Sequence, residues 1–259
     1  MLEARNIGLT LGGRPALTDV DLSLSSGEIT AFVGPNGAGK SSLLNCLAGS
    51  LRPDRGSAFL DGAPVLNIGA EELARRRAVL EQEPVSQAPF TVAELAELST
   101  PIDVSPVDAS RLRHNAIVAV GLSDLSDRSI LTLSGGERHR AHMARALTQL
   151  AAGELTSGTP GWLLLDEPTS SLDPRHQLTI LTAAKRATIA GSGVLIVSHD
   201  LTLAANMADR IALMRDGRVV AFGAPSEILT ESVLEDVYET KMQINRLAQG
   251  DWAVGPCYS

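Results

Sequence analysis

The chain has 259 residues, 44% of them hydrophobic, enough to bury one large core with a smaller appended lobe. A net charge of −8 argues against a surface that wraps nucleic acid, and aromatics at 3% remove the stacking platforms of single-strand binders. No apolar run approaches a membrane span, Met1-Leu2-Glu3-Ala4-Arg5 lacks a signal peptide's apolar segment, and Cys46 and Cys257 have no metal-ligand spacing. The expectation is a cytosolic protein that meets a membrane only through a partner, with Cys46 packed in the core and no disulfide framework.

From Leu2 to Val33 short strands alternate. Ile7, Leu9 and Leu11 alternate, Gly12-Gly13 turns, Val20, Leu22 and Leu24 alternate again, and Ser26-Gly27 turns once more. This pattern predicts an antiparallel β layer that feeds the apolar strand Ile29-Thr30-Ala31-Phe32-Val33. Gly34-Pro35-Asn36-Gly37-Ala38-Gly39-Lys40-Ser41 follows, and Ser42-Leu43-Leu44 continues as an amphipathic helix through Leu47 and Leu51. Strand, glycine-rich turn and helix with G-x-x-x-x-G-K-[ST] spacing predict a phosphate-binding P-loop. Glycines let the backbone turn its N–H groups inward as an anion nest, and the helix adds the positive end of its dipole. Lys40 is the expected charge on the β- and γ-phosphates of a nucleotide, and Ser41 the expected Mg²⁺ ligand. The nucleotide-binding residues expected here are Gly34, Pro35, Asn36, Gly37, Ala38, Gly39, Lys40, Ser41 and Ser42.

After the break at Arg52-Pro53-Asp54-Arg55-Gly56 comes a strand, Ser57–Leu60, and a turn at Asp61-Gly62. Glu71–Ala78 reads as a short helix, whose Arg75-Arg76-Arg77 could touch phosphate or lipid but is expected to be a solvated face. Between Gln82 and Leu133 the character changes: Pro84, Pro89, Pro101 and Pro106 punctuate helical patterns at Val92–Leu98 and Arg111–Val120. This segment is expected to be an inserted helical subdomain, with Phe90 and Val92 either packed inside it or exposed to a partner.

Leu133-Ser134-Gly135-Gly136-Glu137 opens a helix that runs through Leu147, and Gly153–Gly161 reads as a polar, glycine-containing insert. Trp162-Leu163-Leu164-Leu165 reads as a parallel strand covered on both faces, and it ends in Asp166-Glu167. A P-loop needs an acid to anchor its metal, which falls to Asp166; Glu167 is placed as the general base that polarises water for in-line attack. Helix Pro174–Ala190, strand Val194–Val197, a hairpin around Asp216-Gly217 and a terminal helix Ser226–Tyr238 follow, and the last stretch is expected to be loosely ordered. His139 and His142 share a helix face at metal-compatible spacing, but no third ligand is evident, so solvated side chains are expected.

The order P-loop, Gln82, Leu-Ser-Gly-Gly-Glu, Asp166-Glu167-Pro168, Ser171-Leu172-Asp173, His199 resembles the ATP-binding subunit of ATP-binding-cassette (ABC) transporters over nearly the whole chain. The resemblance implies a P-loop NTPase fold of the α/β class. Its core is a mixed, largely parallel sheet with helices, beside an N-terminal antiparallel β layer and an inserted α-helical subdomain. One ATPase domain would span 1–259, with 1–82 and 134–240 as core and β layer, 83–133 as helical subdomain and 241–259 as tail. It implies a head-to-tail dimer of two copies with two ATP molecules between them, each site pairing one P-loop with Ser134, Gly135 and Gly136 of the other copy. Gln82 matches a loop that senses the γ-phosphate and Mg²⁺ and links to the membrane partner, Asp173 a loop that crosses the dimer interface, and His199 the switch histidine on the γ-phosphate. Catalytic roles are thus expected for Glu167, His199 and Gln82, and metal contacts for Ser41, Gln82 and Asp166. One departure stands out: many members place an aromatic ring against adenine where this chain has Leu11, so weaker base stacking is expected.

Arg75–Leu80, Ala88–Val92, Asp173–Gln177, the insert before Trp162 and the ending Val233–Tyr238 are similar to the hemin importer ATPases. Those belong to a broader group that serves iron–siderophore and cobalamin uptake. The resemblance implies a transmembrane permease dimer, a substrate-binding protein acting through it, and a place on the cytoplasmic face of the membrane. No nucleic-acid partner is expected. The rival is a cassette ATPase of iron–sulfur assembly, DNA repair or translation. A single cassette without a long coiled coil speaks against the last two.

Overall fold

The computed structural model describes residues 1–82, 88–170 and 172–257; Pro84 and Ser171, both used above, lie outside them. The chain forms two units, Met1–Asn67 with Leu195–Ser259, and Ile68–Val194.

In the first unit β1 (Leu2–Leu11) and β2 (Arg14–Leu24) pair antiparallel around Gly12-Gly13, whose positive φ suits glycine. Ile7, Leu9, Val20, Leu22 and Leu24 are buried, as their alternation requires. β3 (Ile29–Val33) is buried throughout and runs into α1 (Lys40–Ala48), which stops at left-handed Gly49 and buries Leu43, Leu44, Cys46 and Leu47. β4 (Arg55–Leu60) and β5 (Ala63–Pro64) complete a four-stranded antiparallel layer of order β2-β1-β4-β5.

The second unit opens with α2 (Ala70–Arg76), which ends two residues earlier than expected. Arg77 is extended and starts β6 (Arg77–Leu80), because Ala78 and Leu80 are fully buried with the period of a strand. Arg75-Arg76-Arg77 is correspondingly not a solvated face. Arg75 makes two bonds to Asp103 (2.9 and 2.7 Å) and one to Glu71 (2.8 Å), and Arg77 lies half-buried in the sheet. α3 (Val92–Glu97) is capped by Thr91 and α4 (Pro106–Ala119) by Ser105; Val92 is fully buried, so it packs inside the unit.

α5 (Gly135–Ser157) is longer than expected, since the helix continues into the segment expected as an insert and ends at left-handed Gly158. Gly153 is there for closeness rather than for a turn: a Cβ on it would stand 1.9 Å from the Arg75 carbonyl oxygen of α2. β7 (Trp162–Asp166) is buried throughout and pairs parallel with β6; α6 (Pro174–Ile189) follows, and β8 (Gly193–Val197) leads the chain back into the first unit.

There, α7 (Leu201–Met207) precedes β9 (Arg210–Arg215) and β10 (Arg218–Gly223), a hairpin turning at Asp216-Gly217. β9 runs parallel to β3 and antiparallel to β10. The expected terminal helix is two, α8 (Pro225–Ile228) and α9 (Glu231–Tyr238), because Thr230 turns out of the helix and caps the second through the Val233 amide. The tail is not loose either. β11 (Met242–Arg246) and β12 (Trp252–Pro256) form an antiparallel hairpin that packs Met242, Ile244, Trp252 and Val254 onto a core of Val33, Leu201, Leu213, Leu234 and Val237. No helix among the described residues is long and apolar enough to cross a membrane.

Candidate functional site

The phosphate loop lies in the first unit, and backbone sterics dictate its shape. A Cβ on Gly34 (φ +149) would stand 2.1 Å from the Met214 carbonyl oxygen, and one on Gly39 (φ +94) 2.5 Å from that of Ala16. Neither position admits a side chain. Gly37 (φ +81) meets no such wall and is required by conformation alone. Lys40 is buried, and its Nζ donates to the carbonyl oxygens of Gly34 (2.8 Å) and Pro35 (3.0 Å). Gly39 caps α1 without a side chain, and the first turn holds no acid, so its amide groups leave a positive helix end. Asn36 and Gly37 are exposed at the crest of the loop, and Ser41 and Ser42 are half-buried behind it. Cys46 is buried one turn further on, and burial pushes its thiol up to about 11.

His199 belongs to the same unit. Ser198 donates its amide to Phe32 of β3 (3.0 Å), and Asp200 caps α7 through the Leu203 amide (2.9 Å). The histidine is thus held between a strand end and a helix start, with its side chain exposed.

The second unit gathers the acids. Asp166, the last residue of β7, keeps only 6% exposure, and Glu167 follows at φ +47, a left-handed conformation that costs a non-glycine residue of order 1 kcal/mol or more. The parallel register sets Leu80 of β6 beside Leu165 of β7, so Gln82 and Glu167, each two residues further on, emerge side by side. Gln82 Nε2 donates to Glu167 Oε2 at 3.1 Å.

Ser134 caps α5 in a reciprocal box: its Oγ accepts the Glu137 amide (3.3 Å), and Glu137 Oε2 accepts the Ser134 amide (2.8 Å) and hydroxyl (2.8 Å). Those bonds hold the Glu137 carboxyl below the usual carboxylate range. Ser134 and Gly135 are exposed at this helix start and Gly136 is half-buried. Asp173 caps α6, accepting the His176 amide (3.0 Å) and facing His176 Nδ1 (2.8 Å), and the backbone bond chiefly holds its carboxyl low.

Two expectations fail on α5. His139 and His142 are 8% and 5% exposed, not solvated. His139 Nε2 bonds the Pro168 carbonyl oxygen at 3.0 Å, next to the left-handed Glu167, and burial keeps the ring below its ordinary pKa. His142 is pushed down to about 4 by burial and by Arg145. Arg140 and Arg145, which carried no role above, are also ties: Arg140 donates to the Val120 carbonyl (3.2 Å) and Arg145 to that of Val79 (2.8 Å). The small residues around them, Ala141, Ala144 and Ala146, were the available sign that this helix is enclosed on most sides.

Comparison with known proteins gives the same assignment from three directions. The ABC transporter family profile matches residues 17–170. The chain is 44% identical over 255 residues to a hemin import ATP-binding protein HmuV of Rhodopseudomonas palustris, covering 98% of this chain and 94% of that one. It is 40% identical over 246 residues to the protein of the same name from Rhizobium meliloti, covering 95% and 94%. The dimeric structure of a bacterial ABC transporter cassette superposes with a TM-score of 0.74 at 25% identity, covering 87% of this chain and 99% of that one. A putative metal-chelate type ABC transporter in an inward-facing conformation shares the fold over 99% of this chain and 97% of that one, with a TM-score of 0.78 at 23% identity. The chain belongs to the ABC transporter family, as an α/β, ATP-binding and ATP-hydrolysing subunit.

Proposed function

We propose that this ATPase drives hemin import through a membrane permease, and that its nucleotide site is completed by a second copy. The observation that carries the substrate is the near full-length identity of 40–45% to several proteins named for hemin import. The dimeric cassette structure supports the second copy, and a head-to-tail pairing of the two copies belongs to the same proposal. A permease dimer, a substrate-binding protein acting through it and a peripheral place on the cytoplasmic face belong to the same reading, with the helices of segment 83–133 as the surface that answers to the permease.

Gly34–Ser42 would cradle the phosphates of ATP with backbone amides, and Lys40 would exchange its two carbonyl partners for phosphate oxygens. Ser41, Gln82 and Asp166 offer only oxygen donors, and a buried carboxylate such as that of Asp166 suits a hard cation, so the set fits Mg²⁺. Among the described residues no group of three His, Cys, Asp or Glu side chains could hold a metal alone, so phosphate oxygens would complete the shell. Bound there, Mg²⁺ would neutralise charge developing on the phosphates. Glu167 would take the proton of the attacking water, with Gln82 reporting its state and His199 contacting the γ-phosphate. The exposed Ser134–Gly136 helix start would supply a second anion contact from the opposite copy, and Asp173 would lie at the same interface. Closure of the dimer and its reopening after hydrolysis would then move the permease.

The test is reconstitution of the chain with its permease and binding protein in liposomes. Hemin is expected to stimulate ATP hydrolysis and to accumulate inside. Stimulation by a ferric siderophore or cobalamin, with none by hemin, would move the substrate to the wider group. Co-purification with a soluble assembly complex and no permease would overturn the transport reading.

A further inference from the structure

The C-terminal hairpin has no part in the roles assigned so far, yet it is fastened to the helix that begins beside His199. α7 has seven residues, a length that does not hold a helix in isolation. Leu201, Ala204 and Ala205 bury one face of it in the core. Thr202 and Asn206 project from another face, one turn apart, and grip β12. Thr202 Oγ1 accepts the Val254 amide (2.9 Å) and donates to the Val254 carbonyl (3.0 Å). Asn206 Oδ1 accepts the Trp252 amide (2.7 Å), and its Nδ2 donates to the Trp252 carbonyl (2.9 Å) and to the Thr202 carbonyl (2.8 Å).

The spacing explains the fit. Helix positions i and i+4 lie about 6 Å apart, and strand positions i and i+2, which face the same edge, about 7 Å apart. Two side chains of α7 therefore satisfy the edge of β12 as a third strand would. An isolated two-stranded hairpin is marginal in water, so the helix and the hairpin stabilise each other. Arg246 stacking 4.1 Å over Trp252, its cross-strand partner, stiffens the hairpin further. Just before the hairpin, α9 ends at Tyr238, whose hydroxyl is buried against the Gly34 backbone of the phosphate loop.

We propose that the β11–β12 hairpin is a brace that positions His199, with Thr202 and Asn206 as positioning residues acting through α7. The proposal rests on the reading of His199 as the γ-phosphate contact. Without the grip, α7 loses its outer support, and the Asp200 cap that fixes the residue after His199 loosens with it.

The experiment uses the full-length chain. Thr202→Val keeps the side-chain volume and removes both hydrogen bonds, and Asn206→Leu does the same at the second grip. Together they are expected to lower kcat ~10-fold with KM for ATP changed less than ~2-fold, since displacing a catalytic group by about 1 Å costs up to ~10²-fold. Thr202→Ser retains the hydroxyl and is expected to hold wild-type kcat. Should the double variant fail to fold, Thr202→Val alone is read in the same way. The pair is then combined with His199→Ala and followed by single-turnover hydrolysis. A brace that acts through His199 adds less than ~2-fold to the loss already caused by His199→Ala. A full ~10-fold further loss in that background, or wild-type kcat in the double variant, overturns the brace. Wild-type kcat in His199→Ala alone instead overturns the role of His199, so the two failures are distinguishable.

Discussion

The phosphate loop of the first unit is shaped by what its backbone excludes, whereas the acidic strand end of the second unit is shaped by what its side chains hold. At Gly34 and Gly39 an added Cβ would overlap the carbonyl oxygens of Met214 and Ala16, and even Lys40 answers to two carbonyls. At the strand end, left-handed Glu167 is approached by the Gln82 amide, and the following Pro168 is held by buried His139. A backbone cradle binds by geometry and offers few single atoms whose loss abolishes it. A side-chain constellation can lose one proton acceptor and keep its shape. Binding should therefore fail at the loop and chemistry at the strand end, and the two losses should be separable.

The largest effect is expected at the strand end. Glu167→Gln keeps size and hydrogen bonding but removes the base, so kcat should fall ~10²–10⁴-fold while the dissociation constant for ATP stays within a few-fold of wild type. Wild-type turnover in that variant would end the base assignment. Next comes the loop: Lys40→Ala removes a charged donor worth ~1.5–3 kcal/mol, so ATP affinity should drop roughly 10–100-fold in equilibrium titration. Unchanged affinity there would show that loop amides alone hold the nucleotide, and would sharpen the contrast further.

The smallest effect concerns the buried ring on α5 rather than either cluster. His142 titrates near 4 in the folded chain against an ordinary 6.5, and its Nε2 is buried without a hydrogen-bond partner among the described residues. The unfolded chain thus binds a proton first as pH falls, and unfolding takes that proton up. This contribution to stability is complete above about pH 6.5 and is lost as pH drops toward 4. Thermal midpoints measured across that window should decline less steeply in His142→Gln than in wild type. Equal slopes would mean that the ring is not the titrating group.

What could be read from the sequence follows from how local each signal is. The loop adjoins the apolar strand before it and the acids adjoin Leu163–Leu165, so motif and apolar run give each pair together. Gln82 beside Glu167 needed the register of β6 against β7, which no local pattern states. Gly153 misled because glycine marks both turns and close helix approach, and only the Arg75 carbonyl decides between them. His139 and His142 are polar types expected to face solvent, yet a helix rich in alanine buries both, His139 against the Pro168 carbonyl and His142 without a bond at Nε2 among the described residues. The tail misled by its brevity. Met242, Ile244, Trp252 and Val254 alternate over too few residues to register as strands until β12 meets Thr202 and Asn206.

In the proposed function each chain carries an incomplete nucleotide site, whose loop and base would be finished by Ser134–Gly136 of another copy. The most direct test is the mass of full-length Glu167→Gln with and without Mg²⁺-ATP, measured by size exclusion with light scattering. Monomers are expected without nucleotide and dimers with it. Ser134→Arg, which blocks the second anion contact, is expected to leave ATP bound to monomers. Glu167→Gln that binds ATP and stays monomeric at every protein concentration would contradict the shared site.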